Sequence, residues 1–241
     1  MTPTTRHLNV REEGAGRLLV FTHGIGDTSA TWDAQVEHCV SHGQTVVTWD
    51  LRGHGSSDAP ANPAYYSRTN ALRDMEAILN GRKAILVGHS LGGYFSMSYA
   101  ISHPDQIDGL ILVASGPGFR NSEHREKWNS LASSAVQKFG LVDGTAGLLM
   151  QEDSFVIDHL GEITVPVLQV VGSHDQRFVR TLPVLERNAQ GPVRSAVIPD
   201  AGHMVHRRHA EEVNALIDVF LNALDGGDLS ESLLNTPPHR V

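Results

Sequence analysis

The sequence contains a single cysteine, Cys39, so no disulfide can form within the chain. Its surroundings, WDAQVEHCV, are typical of a helix face. A cysteine in such a place is expected to be a packed thiol rather than a nucleophile. A chain with so little cysteine suits a reducing compartment, and we expect a cytoplasmic protein.

Long apolar runs and excess positive charge are also missing. No run approaches the roughly 20 residues that a membrane-spanning helix needs, and MTPTTRHLNVREEGAG has no apolar signal core. We therefore expect neither membrane association nor export. The 19 lysines and arginines face 27 aspartates and glutamates, a formal charge of -8. Because nucleic acid favours a basic face, we expect a small-molecule substrate, and the oligomeric state, monomer or dimer, stays open.

Six short apolar runs recur along the chain, with longer helical stretches between them. They are continuous rather than alternating, which is typical of strands that are covered on both faces. The pattern predicts an α/β fold in which a mostly parallel central sheet has helices on both faces. The six runs are residues 17–22, 45–49, 83–88, 109–114, 165–172 and 194–199.

The alternation breaks between the fourth and fifth runs. Residues 115–164 have no strand-like segment but carry scattered aromatic and aliphatic side chains. A connection of this length in a compact domain is usually functional. We predict a small helical cap here, inserted in a core formed by residues 1–114 and 165–224. The last residues, 225–241, are polar and proline-rich, which predicts a mobile tail.

A serine lies between glycines where a predicted strand gives way to a predicted helix. The segment from Gly88 to Gly92, GHSLG, has the pattern G-x-S-x-G, and a plain glycine turn is the alternative interpretation. In this context the pattern indicates a nucleophile, Ser90, at the tip of a strained turn. The amide hydrogens at the start of the helix point towards the serine, so that of Leu91 can stabilise an oxyanion.

A serine hydroxyl is a weak nucleophile until a base takes its proton, so a histidine and an orienting carboxylate are required. Asp175 follows the fifth apolar run, and His203 follows the sixth. Because the carboxyl ends of parallel strands converge at one edge of a sheet, we expect both side chains to meet Ser90 there.

Two of these assignments have rivals. His206 competes with His203, and the spacing in HMVHRRH also suggests a metal site, for which Asp200 alone is thin support. Asp200 competes with Asp175 as well. It lies only three residues before His203 on the same loop, whereas a carboxylate from a separate strand end can hold the imidazole from behind. We therefore expect Asp175 and His203, and no metal.

Four separated motifs occur in a fixed order within residues 17–224: THGIGDTSATW, DLRGHGSSD, GHSLGG, and the pair GSHD with DAGHMV. In these motifs the chain resembles the α/β-hydrolase superfamily. The resemblance implies that Ser90 is the nucleophile and His203 the general acid and base. It also implies that Asp175 orients His203.

The resemblance extends to the turn His23-Gly24-Ile25, which matches the oxyanion loop of the family. It implies that the Ile25 amide is the second oxyanion donor, beside that of Leu91. Arg52 and Asp58 of DLRGHGSSD are expected to brace loops. No metal or organic cofactor is implied.

The reaction favoured by the resemblance is hydrolysis of a small, mostly apolar carboxylic ester, thioester or lactone through an acyl-serine intermediate. Trp32 and Trp128 are our candidates for the substrate pocket. Three alternatives stay open. The SGPG turn suggests a carbon-carbon bond hydrolase of ring-cleavage products, although His89 stands where those enzymes typically carry asparagine. A cofactor-free dioxygenase and a ligand receptor with little turnover use the same frame.

Overall fold

The structure is a computed structural model that describes residues 7–226. Of the tail predicted at 225–241, all but the first two residues lie outside the described part of the chain. Within residues 7–226 no helix combines the length and the apolar character that crossing a membrane would require.

Seven strands form one sheet in the order β1-β3-β2-β4-β5-β6-β7. The strands are β1 Val10–Gly14, β2 Leu18–Thr22, β3 Thr45–Trp49, β4 Ala84–His89, β5 Ile107–Val113, β6 Val167–Gly172 and β7 Val193–Ile198. All neighbouring pairs are parallel except β1 with β3. The predicted α/β fold with a mostly parallel sheet is confirmed.

The sequence did not predict β1. Its residues, VREEG, are mostly charged and exposed, so they form no apolar run. The strand lies at the edge of the sheet and pairs antiparallel with β3, with Val10 opposite Trp49. Charged side chains on an edge strand discourage pairing with a second chain.

Helices cover both faces of the sheet and bury two apolar clusters. Met75 and Phe95 pack with Leu86 on one face, and Val213 and Phe220 pack with Ile85 on the other. The α-helices are α1 Asp33–Ser41, α2 Arg68–Leu79, α3 Leu91–Ser102, α4 Ser122–Ser130, α5 Ala132–Lys138, α6 Ala146–Leu149, α7 Phe155–Asp158, α8 Gln176–Val179, α9 Leu182–Asn188, α10 Val205–Arg208 and α11 Ala210–Leu224. Short 3-10 helices lie at Ser29–Trp32, Pro63–Tyr65, Pro104–Gln106, Asp143–Thr145 and Leu160–Glu162.

The segment between β5 and β6 contains α4 to α7 and no strand. It is joined to the sheet-covering helices by an ion pair, in which the Arg68 guanidinium of α2 donates to both carboxylate oxygens of Asp153 at 2.6 and 2.8 Å. Phe119, Trp128 and Leu149 of this segment line a cavity together with Ser90, so the segment lies next to the serine turn. The division of the chain into separate core and cap domains stays a prediction.

Candidate active site

Ser90 occupies the single residue between β4 and α3. Its backbone has φ 51° and ψ -112°, a left-handed conformation that is strained for a residue with a side chain. A Cβ atom on Gly88 would lie 2.4 Å from the Gly93 nitrogen, and one on Gly92 would lie 2.2 Å from the Thr22 carbonyl oxygen. Both flanking glycines are therefore required by close backbone approach.

The carboxylate of Asp175 and the imidazole of His203 form a hydrogen bond across two strand ends. His203 Nδ1 lies 2.6 Å from Asp175 Oδ2. An ionised carboxylate can only accept, so Nδ1 carries the proton and Nε2 keeps its lone pair. The Asp175 side chain is 11% exposed and that of His203 is 41% exposed.

The rival residues lie elsewhere. The Asp200 side chain is 93% exposed, and its carboxylate lies 3.7 Å from His174 rather than at His203. His206 is fully buried, with Nε2 2.8 Å from the Thr31 hydroxyl oxygen. Of the two candidate carboxylates, only Asp175 is hydrogen-bonded to His203.

His89 connects the serine turn to the loop of His203. Its Nε2 donates to the carbonyl oxygen of His203 at 3.0 Å, and the two rings lie 4.7 Å apart. Phe178 stacks on His203 with a centroid distance of 5.3 Å. The sequence analysis gave His89 no such role, because the bond joins residues that are 114 positions apart.

Two further buried histidines hold the loop that follows β2. His23 Nδ1 donates to the Gly24 carbonyl at 2.7 Å, while its Nε2 accepts from the Leu51 amide at 3.0 Å. His54 Nε2 accepts from the Gly26 amide at 3.1 Å. Burial, with His54 nearby, lowers the pKa of His23 to about 4, and burial also lowers the pKa of His54. Both rings are therefore neutral and can accept hydrogen bonds from the backbone.

Two backbone amides beside Ser90 have no protein acceptor. Ile25 and Leu91 line the same cavity as Ser90, and within residues 7–226 neither amide donates a hydrogen bond. Leu91 is the first residue of α3, where a helix has no internal acceptor for its N–H groups. The Ser90 hydroxyl likewise bonds to none of the described residues.

Two residues of the DLRGHGSSD segment brace the surrounding loops. Arg52 Nε donates to Asp74 at 2.8 Å, with side chains only 15% and 8% exposed. The Asp58 carboxylate accepts from the His7 amide at 3.0 Å. These contacts lie outside the cavity.

A mostly apolar cavity of about 120 Å³ opens at Ser90. Its lining residues are Ile25, Ser90, Leu91, Tyr94, Gly116, Gly118, Phe119, Trp128, Leu149, Gln151, Arg177, Phe178 and Thr181. Trp128 is held there by a hydrogen bond from its Nε1 to the Leu149 carbonyl at 2.7 Å.

Trp32, the other tryptophan predicted for the pocket, lies elsewhere. Its side chain is fully buried. The centroid of its ring lies 5.2 Å from that of Phe21 and 4.4 Å from that of His206. The prediction for Trp32 is therefore corrected: the residue ends a 3-10 helix that turns its side chain into the core. Its position in sequence near the turn His23-Gly24-Ile25 does not place it in the cavity.

Arg177 is a cavity residue that the sequence analysis missed. Its guanidinium lies 5.5 Å from the centroid of the Trp128 ring, and it forms no ion pair with the other described residues. The available signal was its position two residues after Asp175, in the short helix α8 that also carries Phe178. A cation thus lies in a mostly apolar lining.

The seven-stranded, mostly parallel sheet with helices on both faces has the α/β-hydrolase fold. The family described as the alpha/beta hydrolase fold matches residues 17–144, and the chain belongs to it.

An uncharacterized protein of Mycobacterium tuberculosis is 40% identical over 107 residues, which cover 44% of this chain and 31% of that protein. The chain thus matches less than a third of the length of this relative. MenH from Staphylococcus aureus has a similar structure, with a TM-score of 0.78, 19% identity, and coverage of 92% of this chain and 100% of MenH. A thermophilic esterase from Thermogutta terrifontis also has a similar structure, with a TM-score of 0.76 and 22% identity. The match covers 93% of this chain and 96% of the esterase.

Proposed function

We propose that this protein is a serine hydrolase that cleaves a small, mostly apolar carboxylic ester, thioester or lactone. The observation that carries the proposal is the 2.6 Å hydrogen bond between His203 and Asp175 at the strand edge where the strained Ser90 turn lies. The similar structure of the Thermogutta terrifontis esterase agrees with this reaction class at the level of the fold.

In the proposed reaction, Ser90 Oγ attacks the carbonyl carbon while His203 Nε2 takes its proton. The negative charge that develops on the carbonyl oxygen is stabilised by the amides of Ile25 and Leu91, and each such donor is worth about 10²–10³ in kcat. His203 then protonates the leaving group, and an acyl-serine remains. Water, activated by His203, attacks this acyl group and restores Ser90. Asp175 keeps the imidazole in the tautomer that leaves Nε2 free.

The substrate class follows from the cavity. Its volume of about 120 Å³ is well below the roughly 300–1,000 Å³ of pockets that hold drug-sized ligands, so it suits a short acyl chain. The aromatic side chains of Phe119, Trp128 and Phe178 give it an apolar wall. Arg177 adds one positive charge, which would favour substrates with a negatively charged group at the far end from the scissile bond.

The test is turnover of p-nitrophenyl esters of graded chain length by the wild type and Ser90→Ala. We expect acetate to butyrate esters to be preferred, and Ser90→Ala to lower kcat by about 10⁴. Ser102→Ala is the matched control, because this serine lies on the same α3 and bonds to the Ser98 carbonyl, away from the cavity. If Ser90→Ala keeps more than about a tenth of the activity, the mechanism is wrong.

Assays of the wild-type protein also distinguish the alternative functions. Rapid multiple turnover of esters or lactones supports the proposal. A single slow covalent event at Ser90 supports a ligand receptor. Turnover confined to ring-cleavage products supports a carbon-carbon bond hydrolase, and product formation that depends on oxygen supports the dioxygenase.

A further inference from the structure

Three titratable side chains meet behind the serine turn with one unsatisfied atom each. Asp27 Oδ2, His89 Nδ1 and His206 Nδ1 are buried and have no hydrogen-bond partner. One ligand atom from each residue lies within 4.8 Å of those of the other two. The two histidines are only 2% and 0% exposed. Leaving buried polar atoms unpaired is costly, so this cluster calls for an occupant.

The hydrogen bonds of His89 fix which of its nitrogens is available. A carbonyl oxygen can only accept, so the bond to the His203 carbonyl places the ring proton on Nε2. His89 Nδ1 is then a buried lone pair without a hydrogen-bond partner. His206 Nε2 lies 2.8 Å from the Thr31 hydroxyl, which can donate or accept, and His206 Nδ1 also has no hydrogen-bond partner.

The Asp27 carboxylate oxygen and the His89 Nδ1 lone pair cannot satisfy each other, because both are acceptors. A cation satisfies them at once. Two imidazole nitrogens and one carboxylate oxygen are ligands typical of zinc, with a fourth position left for water. We propose that Asp27, His89 and His206 form a zinc(II) site behind the nucleophile.

The surroundings of the three residues match this assignment. Histidines that bind metals usually hold their other ring nitrogen on a carbonyl or another polar group, as His89 and His206 do. Around zinc with bonds of about 2.1 Å, ligand atoms lie about 3.4 Å apart, so the side chains need to close in by at most about 1.4 Å from separations within 4.8 Å. Rotation of the Asp27 side chain on its loop contributes to this closure.

A second group of two histidines and an aspartate supplies a comparison. His38, His42 and Asp218 also have ligand atoms within 4.8 Å of one another. There, however, His38 Nε2 already bonds to Asp218 at 2.9 Å, and His42 Nδ1 bonds to the His38 carbonyl at 2.8 Å. Zinc bound to His38 Nε2 and Asp218 would have to replace the hydrogen bond between these two residues, whereas in the first group the ligand atoms are unpaired. The first group is therefore the zinc site.

Zinc at this position would connect three segments of the candidate active site. Asp27 lies on the loop of Ile25, His89 precedes Ser90, and His206 lies three residues after His203. The ion would therefore restrain the positions of these segments relative to one another. This inference does not depend on the reaction that Ser90 performs.

The test measures zinc binding to the full chain without an affinity tag, after dialysis against EDTA. Wild type should bind about one equivalent, show the visible absorption of tetrahedral cobalt when Co²⁺ is used instead, and gain roughly 5 °C or more in Tm with zinc in hundredfold excess over Kd. Asp27→Asn should weaken zinc binding at least tenfold. This substitution keeps the oxygen that accepts from the Thr28 amide at 3.0 Å, so the loop is expected to fold.

Asp218→Asn is the matched control, and it should bind zinc as the wild type does. Loss of binding in Asp218→Asn with retention in Asp27→Asn would assign the ion to the other group and overturn the proposal. Failure of the wild type to bind zinc or cobalt would overturn it as well, and would leave water as the occupant. Each of these results leaves the ester assay of Ser90→Ala unaffected, so the two proposals fail independently.

Discussion

Mild acid should destabilise this protein because its buried histidines are neutral in the folded state. Burial lowers the pKa of His23 to about 4 and that of His206 to about 3, while the pKa values of His54 and His89 are lowered by burial as well. Lowering the pH from 7 to 5 crosses the ordinary histidine pKa of about 6.5 but stays above the values for His23 and His206.

The sign follows from where protons bind. Below pH 6.5 the unfolded chain binds protons at His23 and His206, whereas the folded chain does not until the pH falls to about 4 and about 3. Stability is therefore complete above pH 6.5 and is lost as the pH falls. Each group contributes up to about 1.4 kcal/mol per pH unit, or about 2 kcal/mol at pH 5. Two such groups therefore lower the free energy of unfolding by about 4 kcal/mol at pH 5. The whole free energy of unfolding of a protein is typically about 5–15 kcal/mol.

The assay is urea unfolding at pH 7, 6 and 5 in EDTA, so that no metal ion competes with the protons. His23→Asn should reduce the dependence of the unfolding free energy on pH by about 1.4 kcal/mol per unit below pH 6.5. His124→Asn is the control, because this side chain is exposed. An unfolding free energy that is constant from pH 7 to pH 5 would mean that the folded protein takes up these protons, and the argument from burial would be refuted.

Two further substitutions test the proposed triad and the ion pair between Arg52 and Asp74. Asp175→Asn should lower kcat by about 10⁴ with little change in Tm, because an amide in place of the carboxylate favours the wrong tautomer of His203. If the variant were as active as the wild type in steady-state assays, the orienting role of Asp175 would be excluded. Arg52→Ala should cost about 3–5 kcal/mol in urea unfolding, since it leaves the buried Asp74 carboxylate unpaired. Asp74→Asn in the same chain should recover part of this loss, and a cost below 1 kcal/mol for Arg52→Ala alone would show that the pair is solvated.

The strands that contain apolar runs could be predicted from the sequence, whereas the strand without such a run could not. Six of the seven strands were predicted from apolar runs; five of them are largely buried, and β7 is mostly half-buried. The edge strand Val10–Gly14 is held by its ladder to β3 rather than by burial, so its side chains are free to be charged. Its existence depends on pairing with residues 31 to 39 positions away, which the local sequence pattern does not encode.

In the candidate site too, only the residues that local sequence pattern marks could be predicted. Ser90, Asp175 and His203 could be chosen because each directly follows a predicted strand, and the hydrogen bond between Asp175 and His203 agrees with that choice. Their catalytic roles stay predictions. The pocket could not be derived in this way, because Trp32 is buried in the core whereas Trp128 lines the cavity. This difference is decided by packing between residues that local sequence pattern does not connect.

The buried histidines share a physical purpose that explains why so many surround Ser90. Loops at the strand ends have no neighbouring strand, so their backbone groups need other partners. A neutral imidazole supplies one donor and one acceptor on opposite sides of a rigid ring. His23 and His54 each use both, and His89 uses its donor on His203. Because protonation removes every acceptor at once, the same residues that fix the loops of the site also limit the pH range in which those loops keep their shape.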